Sequence, residues 1–234
     1  MTSIAQKMAG QRITSRPQAA ANGCRRNRDS GGSWMAKRAL DVLGAAAILL
    51  VLLPLLLVVA LLIRLDSPGP ILFGQERCGR NGRLFRVWKF RTMAVDAERR
   101  LAAVLAASPA AREEYARWHK LANDPRVTRA GRFLRKTSLD EIPQLLNVLR
   151  GDMSLVGPRP YMPNERDEIG AALPVILTVP PGITGLWQIT ARNSSTFQER
   201  VAIDCTYVRY RCLKTDLIIL LATMPAVLRT AHAY

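Results

Sequence analysis

The chain has 234 residues, with 34 lysines and arginines against 18 aspartates and glutamates and a formal charge of +16. That length holds one globular domain of ordinary size, and the charge suits nucleic acid, an anionic bilayer surface or a polyanionic small substrate. Four scattered cysteines without a C-x-x-C pair, and only His119 and His232, give no support to a zinc site or to a Ser-His or Cys-His nucleophile; free thiols of a reducing compartment are the plain reading.

Residues 1–33 are rich in Gly, Ser, Asn, Gln and Arg and nearly devoid of large apolar side chains, which predicts a disordered basic tail. Arg25, Arg26, Arg28, Lys37 and Arg38 then precede an uncharged apolar run from Val42 to Ile63, 22 residues long. A signal-peptide core is only about 7–15 residues, and no A-x-A-like cleavage site follows, so residues 34–66 read as a retained membrane segment. One straight helix of that run would extend about 33 Å and could cross a bilayer. Against a simple crossing, Pro54 near the middle removes a backbone hydrogen bond and can bend the helix. Positive charge also flanks both ends, with Lys37 and Arg38 before and Arg64, Arg77, Arg80 and Arg83 after. The positive-inside bias would keep both flanks on the cytoplasmic face. A helix-break-helix that enters one leaflet and returns satisfies both features; hydropathy alone leaves the two topologies open.

Residues 67–234 read as the catalytic domain. Ile71 to Gln75 and Leu84 to Phe90 are predicted strands around Arg80-Asn81-Gly82-Arg83, where Asn-Gly signals a hairpin turn. A helix is expected from Asp96 to Ala107. Ser108-Pro109 then caps a second helix to about Leu121, with Tyr115, Trp118 and Leu121 as its apolar stripe. From Leu139 the positions Ile142, Leu145, Leu146 and Leu149 keep helical spacing until Gly151. Pro180-Pro181-Gly182 opens an irregular segment, Thr196 to Tyr207 is helical, and apolar Leu217 to Leu228 is too short to span. It is expected on the bilayer interface or packed on the domain. The fold class is therefore α+β and mostly helical, with a β-hairpin and interfacial amphipathic helices.

The densest chemistry lies at Asp140-Glu141. Ser138-x-x-Glu141 fits a capping box, and acidic groups suit a helix N-terminus, so the pair could simply start a helix. However, Arg126, Arg129, Arg132, Arg135 and Lys136 precede it within fifteen residues, and Arg159 follows between two prolines. Guanidinium forks bind phosphate oxygens bidentately and stay charged. A carboxylate among them is expected to keep a depressed pKa, which suits a nucleophile or a metal ligand more than a general acid. One carboxylate could attack phosphorus while its neighbour holds Mg²⁺; spacing does not say which does which.

Ordered motifs extend this reading across nearly all of the chain but the tail. They are Lys37-Arg38-x-x-Asp41, Ser67-Pro68-Gly69-Pro70, Arg77-x-Gly79-x-Asn81-Gly82, Lys89-Phe90-Arg91-Thr92-Met93 and Asp124-Pro125-Arg126-Val127-Thr128. The strongest are Ser138-Leu139-Asp140-Glu141-x-Pro143-Gln144-Leu145-x-Asn147, continuing to Gly151-Asp152-Met153-Ser154, then Gly157-Pro158-Arg159-Pro160 and Pro181-Gly182-Ile183-Thr184-Gly185-Leu186-Trp187-Gln188. In these the chain resembles the bacterial sugar transferases of the small monotopic polyprenyl-phosphate phosphoglycosyltransferase family, and among them those initiating exopolysaccharides with galactosyl-1-phosphate. The resemblance implies a re-entrant helix broken at Pro54, both termini cytoplasmic at the bacterial inner membrane, and transfer of a sugar-1-phosphate from a UDP-sugar to undecaprenyl phosphate. It makes Asp140 the nucleophile that carries the phosphosugar and Glu141 the Mg²⁺ ligand. Lys89, Arg135, Arg159 and Arg192 fall on the family's phosphate-binding positions. Three departures are Leu53-Pro54 where Ser-Pro is usual, Pro180 where a basic residue often precedes Pro-Gly-Ile-Thr-Gly, and Ala191-Arg192-Asn193 where the family has Gly-Arg-Asn.

Two other classes compete. A membrane-tethered regulatory or nucleic-acid-binding protein explains the charge, but would line one element with basic and aromatic residues and has no use for Asp140-Glu141. A bilayer-surface scaffold explains the basic flanks and leaves the central motifs idle. The partners expected are thus the UDP-sugar, undecaprenyl phosphate and membrane lipid, without nucleic acid; a homodimer is left open.

Overall fold

In a computed structural model the structure describes residues 31–118, 121, 124–190 and 195–230. Helix α1, Gly31–Asp66, runs unbroken through Pro54. It is the one helix among the described residues long and apolar enough to cross a membrane by length and composition. Its central side chains meet little protein: Leu50 is 74% exposed and Val51 76%. An apolar stretch so unpartnered is what lipid, not a core, would cover.

Strands β1, Leu72–Cys78, and β2, Leu84–Phe90, form the expected hairpin. Asn81 and Gly82 both take positive φ (58° and 79°) at its turn, the conformation that Asn-Gly tolerates. Then come α2, Ala97–Ala107; α3, Pro109–Trp118; α4, Arg129–Thr137; and α5, Gln144–Arg150. Strand β3, Ser154–Val156, is followed by two four-residue turns, α6, Arg166–Ile169, and α7, Leu173–Ile176. Strand β4, Gly182–Thr184, and helices α8, Leu186–Thr190, α9, Phe197–Tyr210, and α10, Leu213–Thr230, complete the chain. The class is mostly helical with a few strands, as expected. Residues 1–30 of the basic tail, with Cys24, and both histidines lie outside the described residues; Cys78, Cys205 and Cys212 form no disulfide among the described residues.

Contacts group these elements into two compact units. The larger draws on the first half of α1, Gly74–Trp88 and the chain from Gln144 onward. Its polar skeleton is buried. Lys37 pairs with Asp216 at 2.8 Å, and Asp41 accepts from the Ser154 hydroxyl and the Leu155 amide, both at 3.0 Å. Arg38 donates to the Val148 and Leu149 carbonyls at 2.6 and 2.8 Å, satisfying the last turn of α5. Asp216 also accepts from the Tyr207 hydroxyl at 2.8 Å. The expected packing of the C-terminal segment is seen in α10, where Ile219 is buried while Leu217 and Leu221 are exposed. Around Tyr161, Ile169, Ile176, Val201 and Cys205 sits the apolar core of this unit.

Fully buried Asn147 fixes the hairpin edge to α5: its Oδ1 accepts from the Trp88 amide at 3.0 Å and its Nδ2 donates to the Arg86 carbonyl at 2.7 Å. Replacing Asn147 by Ala strands both backbone groups. The expected cost is about 2–4 kcal/mol, read as a lower denaturant midpoint at unchanged slope.

Val51–Phe73 and Lys89–Pro143 make up the smaller unit. Val59 and Ile63 of α1 pack with Phe90 and Leu134, flanked by Leu56, Ile71 and Leu139. Asp66 accepts from the Ala130 amide at 3.0 Å, and Thr128 caps α4 by accepting from the Gly131 amide at 3.0 Å. A Cβ on Gly131 would lie 2.1 Å from the Thr92 carbonyl oxygen, so only glycine lets α4 approach that strand end.

Three sequence expectations change. The run from Leu139 to Leu149 is not one helix: a 3-10 turn, Leu139–Glu141, precedes α5, because Pro143 lacks the amide that would join them. Helix α4 and the short pair β3–β4 were not anticipated. The segment after Pro180-Pro181 is not simply irregular, since Gly182–Thr184 pairs in parallel with Ser154–Val156.

Candidate active site

The acidic pair sits where α4 ends. Ser138 turns the chain with a left-handed φ of 57°, and its amide donates to the Arg135 carbonyl. Ser138 makes no side-chain cap, so the expected capping box does not form. The reason lies with Glu141, whose Oε1 takes the Lys89 ammonium at 2.6 Å instead of reaching back to the backbone. Lys89 comes from the end of β2. From the last turn of α4, the Arg135 Nε donates to the Thr92 hydroxyl at 2.9 Å, which orients its guanidinium. Lys89, Arg135, Asp140 and Glu141 are thus gathered within the smaller unit.

Asp140 does not have the depressed pKa expected of it. Burial foremost, and the adjacent Glu141 charge second, push it up to about 6, against the pull of Lys89 and Arg135. The other basic residues that suggested the opposite are directed elsewhere. Arg126 is held by Asp124 at 2.7 Å, and Arg129, Arg132 and Lys136 are exposed, where water and salt screen them. Desolvation therefore outweighs the arginine-rich surroundings.

Among the described residues no cluster of three metal-ligating side chains occurs. Asp140 and Glu141 nonetheless suit Mg²⁺, which is ordinarily held by one or two carboxylates together with substrate phosphates. The Glu141 charge raises the Asp140 pKa, a repulsion that a divalent cation would relieve. The Glu141 side chain is 40% exposed and within reach of solvent ions.

Arg159 belongs to the larger unit. Its backbone amide donates to the Asp204 carboxylate at 3.1 Å, and its guanidinium lies 6.0 Å from the centre of the Trp187 ring. Arg192 lies outside the described residues. Lys37, Arg38 and Asp41 hold the first part of α1 to the domain as described above, and Pro54 sits inside that helix. Sequence reasoning missed the group behind Arg159. Asp204 has no exposed surface, accepts from the Tyr161 hydroxyl at 2.8 Å, and is pushed up to about 6 chiefly by burial. Its signal was present: on α9 the buried stripe Val201, Cys205, Val208 leaves no polar face for an aspartate at 204.

A lysine-bound carboxylate, a second carboxylate beside it and an oriented guanidinium are groups of the kind that bind phosphate esters. The chain belongs to the bacterial sugar transferase family, whose profile matches residues 32–230. It is 44% identical over 200 residues to the exopolysaccharide production protein ExoY of Rhizobium meliloti, covering 86% of this chain and 88% of that protein. To the UDP-galactose-lipid carrier transferase of Erwinia amylovora it is 45% identical over 198 residues, 85% of this chain but 41% of that protein. To the UDP-glucose:undecaprenyl-phosphate glucose-1-phosphate transferase of Caulobacter vibrioides it is 42% identical over 206 residues, covering 85% and 72%. The chain thus spans most of ExoY and less than half of the longer Erwinia protein. The family read from the motifs is borne out.

Proposed function

We propose that this protein transfers a hexose-1-phosphate, galactosyl or glucosyl, from a UDP-sugar to undecaprenyl phosphate and so initiates an exopolysaccharide. The observation that carries the reading is the Asp140-Glu141 pair with Lys89 and Arg135 about it, in a chain similar to transferases of both sugars. Asp140 attacks the phosphorus that bears the sugar. The bond from that phosphorus to the bridging oxygen breaks, and UMP leaves with the electron pair. An oxygen of the lipid phosphate then attacks the same phosphorus and returns Asp140 as a carboxylate. Lys89 and Arg135, with Arg159 and Arg192 by their place in the family motifs, neutralise phosphate oxygens as charge shifts. Glu141 would hold Mg²⁺, which supplies charge neutralisation to the diphosphate when bound.

The test is isotope exchange. Protein given UDP-sugar and labelled UMP, without lipid acceptor, should return label to the donor, and mass spectrometry should find one hexose phosphate on the chain. Transfer that requires both substrates together, with no exchange, would exclude the covalent course. The reactive form of Asp140 is the carboxylate, and its pKa of about 6 without a bound cation sets the upper end of the acid limb of exchange, which Mg²⁺ on Glu141 would move lower. Below that limb the rate should fall towards tenfold per pH unit, and above it the rate should level off. A profile flat to pH 4.5 would reject Asp140 as the group that titrates.

We further infer that α1, although continuous through Pro54 in this structure, bends at that proline in lipid so that it enters and leaves the same leaflet, with the catalytic residues facing the cytoplasm. In support, polar residues near both ends of the helix are engaged by later parts of the chain, Lys37 by Asp216 and Asp66 by the Ala130 amide. Positive charge at both ends of the apolar run, Lys37 and Arg38 before it and Arg64 after it, also favours one face for both ends. Single cysteines placed at 20 and at 98 should both resist impermeant thiol reagents in intact cells; labelling of only one would mean that the helix crosses.

A further inference from the structure

Behind the Pro158-Arg159-Pro160 element two guanidinium groups share one indole. The Arg200 guanidinium lies 4.4 Å from the centre of the Trp187 ring, and that of Arg159 lies 6.0 Å from it. Trp187 is buried, and its ring N–H donates to the Ser195 hydroxyl at 2.8 Å, which fixes the platform. Among the described residues neither guanidinium has an ion-pair partner or a hydrogen-bond acceptor, and the Nε of each is buried without one. That is an unusual state for arginine, whose five donors are ordinarily satisfied when shielded from water. Asp204 faces them but is engaged otherwise, its Oδ2 taking the Arg159 amide and the Tyr161 hydroxyl. Burial, and then the nearby Arg159, both press the Arg200 pKa downward. Glu165 and Asp204 both act electrostatically on Arg200, yet among the described residues neither carboxylate pairs with either guanidinium, and both Nε groups are left to be satisfied.

We propose that Arg200 is a second phosphate-binding arginine, forming with Arg159 and the Trp187 platform a clamp for a phosphate ester of the reaction. This rests on the sugar-phosphate transfer reading. Both guanidiniums present forks suited to phosphate oxygens, and stacking on the indole preorients them at little entropic cost. Two substrates carry the required group, the diphosphate of the donor and the monophosphate of the lipid acceptor, and kinetics separates them.

Arg200→Met keeps the apolar stem on Trp187 and removes the donors. With the full chain in membranes, it should raise KM tenfold or more for one substrate. A rise for the UDP-sugar, with weaker UDP binding by calorimetry, places the donor in the clamp; a rise for undecaprenyl phosphate alone places the acceptor there. Arg200→Lys should recover part of the loss, since the charge remains without the fork. Both KM values within twofold of wild type overturn the clamp, even where the melting temperature falls, because then Arg200 only packs on Trp187. Should the Met variant fail to fold, Arg200→Gln is held to the same limits. If wild type transfers no sugar phosphate at all, the functional reading fails, and inorganic pyrophosphate decides the clamp. Binding that drops tenfold in Arg200→Met keeps it, whereas absent or unaltered binding removes it.

Discussion

Asp140→Asn should lower both lipid product and UMP exchange by about three orders of magnitude or more, the scale seen when a covalent nucleophile is lost, while making the protein more stable near neutral pH. The second half of that expectation follows from the raised pKa. An aspartate that titrates near 4 in the unfolded chain and at about 6 in the folded one binds more protons when folded between those values. Stability associated with this residue is therefore fully present below about pH 4 and declines as pH rises through 6. An amide carries no charge to desolvate and none to repel Glu141. The melting temperature of the variant should exceed that of wild type above pH 6, and the gap should close towards pH 4. A dead enzyme with no gain in stability at pH 7.5 would mean that desolvation of Asp140 is not what the folded state sustains. Catalysis and stability oppose each other at this position, a common condition of reactive groups.

The second large effect is expected at Gly182. Strands β3 and β4 meet at a point where a Cβ on Gly182 would lie 2.0 Å from the Gly157 nitrogen, and one on Gly157 would lie 2.6 Å from the Gly182 nitrogen. The Gly157 amide donates to the Thr184 carbonyl at 2.9 Å and the Gly182 amide to the Pro158 carbonyl at 2.8 Å. No side chain can retreat to make room, because the clash is with backbone. Gly182→Ala should cost about 4 kcal/mol or more, enough to unfold an ordinary domain, and circular dichroism should show loss of the cooperative melt. Gly170→Ala is the comparison: nothing lies within 4 Å of the added carbon, so only its backbone (φ 57°, ψ −132°) is strained and about 1–3 kcal/mol is expected. Equal melting of the two variants would refute the close-approach account. The Gly157-Pro158 and Pro181-Gly182 motifs thus have a backbone reason to exist, and Arg159 is carried on the loop they pin.

What could be read in advance follows the range of the forces involved. The Asn81-Gly82 hairpin and the helix opened by Thr196 with Glu199 were legible because turn chemistry and capping are local. Helix α4 was hidden: Arg129, Arg132, Arg135 and Lys136 crowd a stripe whose one buried large side chain is Leu134, so the run resembled a charge cluster. Strands β3 and β4 are three residues each among glycines and prolines, too short for an alternating pattern. At the site, the identity of the carboxylates could be read and their electrostatics could not. Burial of Asp140 depends on the whole of its surroundings, and of the arginines before it Arg129 and Arg132 face solvent and Arg126 faces Asp124, leaving Arg135 to act on it. Arg200 was passed over because nothing in α9 announces that its guanidinium reaches a tryptophan from another helix.

The pairing of Lys37 with Asp216 also imposes an order on biosynthesis. The apolar helix leaves the ribosome well before Asp216, its buried counter-charge, is translated. At ordinary elongation rates about ten seconds or more separate the two. During that interval Lys37 and Arg38 have no acidic or carbonyl acceptor from the domain and are available to anionic headgroups. The domain cannot close on Lys37 until Asp216 has been made, so any engagement of the first part of α1 with lipid precedes that docking.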